Sequence, residues 1–274
     1  MQELNLNELQ TIGLKILIDF HNFCSNSDLK YSLAYGTLIG AIRHKGFIPW
    51  DDDIDVIMPR PDYERFCKTY KSNKYKISSY ECDSDCRVTF CRVYDDNLTV
   101  VKSFIPWNKK EHGAWIDVFP VDAAEDDYDE FSKRVAHIYK SFKKLQRHRR
   151  GILHFSSSLN TKSLFHLLIK KIIYMNGALV TIYMKKVIKE ATKYKFGSTH
   201  HWGLIAFNSY GNRDYHKNEL FADIIDVDFE HFKFKALVGY DEYLRNIYGD
   251  YMQLPPEEDR KPKQTYLHVY WKNL

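Results

Sequence analysis

The chain has 274 residues, a formal net charge of +4 and 44% hydrophobic residues, so it can build a proper core and wholesale disorder is excluded. The basic excess is too weak to argue for nucleic acid, and it suits an enzyme that handles phosphorylated, anionic substrates. Five cysteines (Cys24, Cys67, Cys82, Cys86, Cys91) form an odd set that does not fit a disulfide scaffold. The opening MQELNLNELQ lacks a basic start followed by an apolar stretch, and no run approaches the ~20 apolar residues of a membrane span. A cytoplasmic protein is the expectation.

Along the chain, Leu9, Ile12, Ile16, Leu17, Phe20 and Phe23 recur at spacings of three and four, which predicts an amphipathic helix from Leu4 to Cys24. Tyr31 to Tyr35 reads as a short strand broken by Gly36 and Thr37, and Leu38 to His44 as a short helix ended by Gly46 and Pro49. Asp53 to Met58 reads as the next strand, followed by a helix from Asp62 to Tyr70. Strands are expected at Tyr75 to Tyr80, Arg87 to Tyr94 and Leu98 to Phe104, the last two joined by an Asp95-Asp96-Asn97 hairpin turn. Ala114 to Val118 gives a further strand closed by Pro120.

After Pro120 the pattern changes. Asp126 to Arg150 and Ser163 to Tyr194 are long, periodic and rich in Lys and Leu, hence helices, with Ser-rich Gly151 to Lys162 as a loop. The Ser163 to Tyr194 segment raises peripheral membrane contact as an option, with ordinary core packing preferred. Phe221 to Lys235 reads as a hairpin and Tyr240 to Tyr248 as a helix. The expected organisation is an α/β (α+β) core over residues 1–125 and a mostly helical region over 126–274, whose last segment packs back on the core.

The chemistry concentrates between Tyr35 and Asp55. Asp53 and Asp55 are two apart in the expected strand, so their side chains share a face. Two neighbouring carboxylates repel unless a positive charge lies between them, and a divalent cation with oxygen ligands is the usual solution. Gly36 and Thr37 sit at a strand-to-helix turn, where exposed N–H groups and a hydroxyl suit a phosphate, with Arg43 and Lys45 nearby for neutralisation. An EF-hand is rejected: Asp51, Asp53 and Asp55 fit its first positions, but Val56 stands where it needs Gly and Asp62 where it needs Glu. Cys82, Cys86 and Cys91 lack zinc-knuckle spacing and read as reduced thiols.

The stretch GTLIGAIRHKGFIPWDDDIDVIMPR (Gly36 to Arg60) closely resembles the LicD family, relatives of the fukutin proteins in the nucleotidyltransferase superfamily. WIDVFPVD (Trp115 to Asp122) and GYDEYLRNIYGDYMQLPP (Gly239 to Pro256) resemble two further blocks of that family, so the likeness spans the chain. It implies a nucleotidyltransferase-like mixed sheet flanked by helices, with a helical C-terminal half. It also implies a metal pair at Asp53 and Asp55, joined by Asp117 as a third acid that ligates metal or acts as general base. Asp51 is a further candidate ligand, and Mg²⁺ or Mn²⁺ the implied cofactor.

The implied reaction moves a phospho-substituent, phosphocholine first, from a CDP-linked donor (CDP-choline) to a hydroxyl of a glycan or its lipid-linked precursor, at the cytoplasmic face of the membrane. CDP-glycerol or CDP-ribitol as donor, nucleotidyl transfer with pyrophosphate release, and a non-catalytic glycan-binding scaffold stand as alternatives. Asp250, at a predicted helix end, is a candidate nucleotide contact, and His268 a weaker one. Choline would favour an aromatic cage, for which Trp50, Trp107, Trp115 and Trp202 are candidates. No nucleic-acid partner is expected, and the oligomeric state is not legible.

Overall fold

The first helix, α1 (Leu6–Asn26), opens on a capping box in which Asn5 accepts from the Glu8 N–H at 3.0 Å and Glu8 accepts from the Asn5 N–H at 2.8 Å. Its apolar stripe, Ile12, Ile16, Leu17 and Phe20, is buried in the main core, where the sequence periodicity puts it. The fold is a computed structural model that describes residues 1–83, 86, 88–103, 112–150, 177–207, 210–262 and 267–272.

A seven-stranded mixed sheet carries the core. Its strands are β1 (Ser32–Leu33), β2 (Asp55–Pro59), β3 (Tyr75–Ser78), β4 (Cys91–Asp95), β6 (Trp115–Ala124), β7 (His201–Gly203) and β8 (Tyr215–Lys217). The spatial order is β1-β2-β6-β4-β3, with β7 and β8 added beside the far end of β6. Only the central β2–β6 pair is parallel, and its register sets Asp55 opposite Asp117 and Met58 opposite Pro120. Between β1 and β2 run α2 (Tyr35–Ile39) and a π-helical turn, Gly40–His44, which ends with Lys45 in the left-handed region at φ 59°. Helix α3 (Arg60–Thr69) follows β2 directly.

Three expectations need correction. Pro120 does not close its strand, because β6 continues to Ala124. The Asp117 N–H donates to Ile54 O, so by alternation the missing Pro120 donor faces the other edge, between the stretch paired to β4 and the stretch paired to β7. Second, Asp95 to Asn97 is not a hairpin turn between paired strands. Asp95 instead gathers the Leu98 and Thr99 N–H groups and the Thr99 hydroxyl, and β5 (Thr99–Ser103) turns away to pair with β11 (Leu267–Trp271). Third, Gly36 and Thr37 do not break a strand that runs to Tyr35 but lie inside α2, which Tyr35 opens.

Beside α4 (Tyr128–Arg150), α5 (Gly177–Ala191) and α6 (Tyr240–Tyr248), the second half contributes β7, β8, β11 and the hairpin β9 (Ile224–Phe229) with β10 (Phe232–Leu237). Strands of three residues are too short for a period-two signal, which is why β7 and β8 escape a sequence reading. Because β7 pairs with β6, the sheet runs on past the expected boundary at residue 125. The expected loop at Gly151 to Lys162 and the start of the helix expected from Ser163 lie outside the described residues. The cysteines are free thiols, and Cys86 is buried, which pushes its thiol up to about 11.

One buried ion pair ties the helix after β2 to β6. Arg60 donates from Nε to Asp122 Oδ1 at 2.6 Å and from Nη2 to Oδ2 at 2.8 Å, and Asp122 is only 1% exposed. Removing one partner strands the other charge away from water. Asp122→Ala should therefore lower stability by about 3–5 kcal/mol in urea unfolding, whereas replacing both Arg60 and Asp122 with apolar residues should recover most of that loss.

At the head of α4, Asp126 accepts from His200 Nδ1 at 2.9 Å and His201 Nδ1 at 3.1 Å, and these bonds hold its carboxyl down at about 2. His200 is raised from 6.5 by the same hydrogen bond. Asp126 therefore stabilises the fold above pH 3.8 and loses that effect as pH falls through about 2. His200 stabilises fully below pH 6.5 and loses its effect as pH rises through its raised pKa. The melting-temperature gap between wild type and Asp126→Asn should be widest between these limits and shrink on both sides.

Candidate active site

The acidic motif is placed by what flanks it. Ile54 and Val56 are buried in the core, so the aspartates that alternate with them are turned to the opposite side. Strand β2 begins at Asp55, not Asp53, and Asp53 lies in the loop that leads into it. That loop is tied to α1, because Gln10 Nε2 donates to Asp51 O at 2.8 Å. Thr37 anchors the strand start: its hydroxyl accepts from the Asp55 N–H at 2.9 Å.

These elements surround a cleft of about 610 Å³, within the ~300–1,000 Å³ usual for small-molecule sites. Gly36, Arg43, Asp51, Asp53, Asp55 and Asp250 line it together. One carboxylate oxygen from each of Asp51, Asp52 and Asp53 lies within 4.8 Å of the others. Gly36 is required here by close approach, since a Cβ on it would sit 2.5 Å from Asp51 Oδ2. An all-oxygen acidic set with backbone packed against it fits a hard divalent cation.

Asp117 stands beside this cleft, not among the residues that line it, and is 8% exposed. It is the cross-strand neighbour of Asp55 on one side and of Arg92 on the other. Arg92 Nε donates to Asp117 Oδ1 at 2.9 Å, and its guanidinium lies 4.1 Å from the Trp115 ring centroid. Arg92, Asp117 and Asp55 thus form one row across three strands. The sequence reading passed over Arg92, although an arginine within an otherwise apolar strand is a signal that a buried carboxylate lies opposite.

Other candidates fall differently. Thr37 is buried beneath Asp55, and Lys45 lines a separate hollow with His44, Asp228 and Glu230. Arg43 Nη1 donates to Tyr251 O and to Gln253 O, which fixes the C-terminal block as one wall of the cleft. His268 pairs with Glu3 at 2.6 Å and does not line the cleft. Of the tryptophans considered, Trp50 lines the cleft, Trp115 packs on Arg92, Trp202 is fully buried, and Trp107 lies outside the described residues.

The aromatic side of the cleft was not legible as such. Tyr35, Tyr210 and Tyr248 line it together with the acids. Tyr35 opens α2 at φ 48°, a strained value for a non-glycine residue, and its buried ring is held by stacking on Tyr210 at 5.0 Å and by donation to Asp214 Oδ1 at 3.3 Å. Tyr210 and Tyr248 join hydroxyl to hydroxyl at 2.7 Å. Burial, then the charges of Asp55, Asp214 and Asp53, push the Tyr210 phenol up to about 12.

A mixed sheet with acids gathered at the start of a central strand, beside a cleft of nucleotide size, defines a phosphotransferase. Residues 28–151 match the family model described as LicD/FKTN/FKRP, nucleotidyltransferase domain. Over 96% of its length the chain is 34% identical to the lipopolysaccharide cholinephosphotransferase LicD of Haemophilus influenzae, covering 97% of that protein. Shorter similarities reach uncharacterized proteins of Rickettsia typhi (32% over 26% of this chain and 25% of that protein) and Rickettsia prowazekii (28% over 29% of this chain and 31% of that protein). The chain belongs to the LicD family.

Gly36→Ala tests the packing of the acidic loop. The added methyl must displace Asp51, which should cost about 1–3 kcal/mol of stability. If these acids hold a divalent cation, wild type should gain melting temperature with Mg²⁺ or Mn²⁺ and Gly36→Ala should gain less, read by thermal unfolding with and without the cation.

Proposed function

We propose that the protein transfers phosphocholine from CDP-choline to a hydroxyl of a cell-surface glycan or its lipid-linked precursor, with CMP as the leaving group. The observation that carries this reading is the row Arg92–Asp117–Asp55 beside the acidic loop Asp51 to Asp53, in a chain that matches a cholinephosphotransferase nearly end to end. Among the described residues no helix is long and apolar enough to cross a membrane. We place the reaction in the cytoplasm, at the inner membrane face where the acceptor is lipid-linked.

Asp53 and Asp55, with Asp51 and Asp117 as further ligands, would hold Mg²⁺ or Mn²⁺. Such a cation supplies charge neutralisation to the phosphates. Gly36 lets the Asp51 carboxylate pack against the start of α2 at the edge of the phosphate site, and Thr37 keeps Asp55 in place through its N–H. Arg43 holds the wall that carries Asp250, and Asp250 contacts the nucleotide. Lys45 contributes positive potential from outside the cleft.

In the transfer, the acceptor oxygen attacks the phosphorus that bears choline. The bond from that phosphorus to the oxygen shared with CMP breaks, and CMP leaves with the electron pair. The acceptor proton passes through a water to Asp117, which stands beside the cleft and is oriented by the Arg92 guanidinium. The protein otherwise positions the reactants and neutralises charge, which is most of what phosphoryl transfer needs.

The test is CMP release from CDP-choline, CDP-ethanolamine, CDP-glycerol and CDP-ribitol with Mg²⁺ or Mn²⁺ and a glycan acceptor, in wild type and Asp53→Ala. The expected result is cation-dependent CMP release from CDP-choline, lowered by about 100-fold or more in the variant, as for loss of a main electrostatic stabiliser. Release from a polyol donor instead would keep the mechanism and overturn choline. Pyrophosphate release from a nucleoside triphosphate, with no CMP from any donor, would overturn the proposed reaction.

A further inference from the structure

Two phenols line the same cleft as the acidic loop, and their hydrogen-bond inventory leaves a surplus. Tyr210 and Tyr248 both line the cleft that Asp53 and Asp55 line. A phenol carries one proton and remains protonated at neutral pH. The two hydroxyls bond each other at 2.7 Å, which uses one of the two protons and leaves the other over. Among the described residues neither hydroxyl makes a hydrogen bond beyond the one they share. Burial and the nearby carboxylates raise both phenols further, so neither gives up its proton.

The rings are fixed by their surroundings. Tyr210 is stacked between its contacts, at 5.0 Å from the Tyr35 ring and edge-on to Tyr248 at 5.4 Å, with the Arg213 guanidinium 5.4 Å from its centroid. Arg213 in turn donates to Ile247 O at 2.7 Å, which binds the Tyr210 segment to the helix that carries Tyr248. A pair held this way would offer its spare donor to a ligand in the cleft that both residues line.

The geometry points to Tyr210 and Tyr248 as a coupled hydroxyl pair that donates one neutral hydrogen bond to a phosphate oxygen of the nucleotide-linked donor. This rests on the phosphotransferase reading above and adds two catalytic-site residues to it. A neutral donor is suited to this wall. A lysine or arginine there would pair with Asp53 or Asp55 and compete with the cation those acids would hold, whereas a phenol engages the phosphate without adding charge.

The test is a double-mutant cycle on the full chain: wild type, Tyr210→Phe, Tyr248→Phe and the double variant. Binding of CDP with Mg²⁺ is read by calorimetry, beside binding of cytidine, which carries no phosphate. The double variant should bind CDP about 10- to 100-fold more weakly, the size of a lost hydrogen bond to a charged group, while at least one single variant binds clearly more tightly than the double. Cytidine binding should be the same in all four proteins.

A double variant within about threefold of wild type for CDP overturns the proposal. So does equal loss in both single variants and the double, because one intact phenol still carries a proton. A parallel fall in cytidine binding also overturns it, because that reports a deformed cleft. Wild-type CMP release, measured alongside, judges the reaction separately. Turnover with an unchanged double variant rejects the pair alone, and absent turnover with the expected cycle rejects the reaction alone.

Discussion

Setting two like charges opposite each other on neighbouring strands is unfavourable, yet the parallel register of β2 and β6 does so with Asp55 and Asp117. Much of the surrounding structure offsets that choice. Arg92, next in the row on β4, places a guanidinium against Asp117 and is itself backed by the Trp115 ring. The Asp55 end of the row has instead the N-terminal turn around Gly36 and the acidic loop. Negative charge therefore accumulates toward the cleft and is compensated away from it. Such a concentration of carboxylates is the setting in which a divalent cation is favoured.

The same two strands explain why the first two motif blocks of the sequence belong together. Asp55 through Pro59 of one lies in register with Asp117 through Val121 of the other, and the blocks end on Arg60 and Asp122, which bind each other with two short hydrogen bonds. One end of the paired strands carries the Asp55–Asp117 pair beside the cleft, and the other carries a buried ion pair that resists slippage. A shift by one residue would turn Asp55 into the core and break the Arg60–Asp122 geometry at once. The third block, around Tyr248 to Pro256, joins through Arg43, whose guanidinium takes up the Tyr251 and Gln253 carbonyls.

How far the sequence was legible follows from the range of each interaction. Alternation and helical periodicity placed α1, α3 and β2 nearly where they lie, because their buried faces are local patterns. The acidic motif was legible for the same reason: Ile54 and Val56 fix which way its neighbours turn. Arg43 looked like a phosphate ligand from its neighbours in sequence, and only the fold reveals that carbonyls more than 200 positions away occupy it. The pairing of β5 with β11 and the additions of β7 and β8 to β6 are likewise long-range, and short strands leave no periodic trace. Tyr210 has no motif around it, and nothing local marks it as the partner of Tyr248.

The division of labour between charged and neutral groups in the cleft follows from this. Each nearby arginine is engaged away from the acidic loop: Arg92 with Asp117, Arg43 with the tail carbonyls, Arg213 with Ile247 O, and Arg260 with Pro255 O beside the Trp50 ring. An arginine aimed at Asp53 or Asp55 would neutralise the acids permanently and leave them no affinity for a cation. Held where they are, Arg43, Arg213 and Arg260 stiffen the walls through backbone carbonyls. The cleft is also lined by the aromatic rings of Tyr35, Trp50, Tyr210 and Tyr248, which can contact a nucleotide or a quaternary ammonium through their faces without adding charge. Selectivity for a cationic donor group would then come from shape and ring faces, and the affinity for phosphate from a cation that the protein does not compete with.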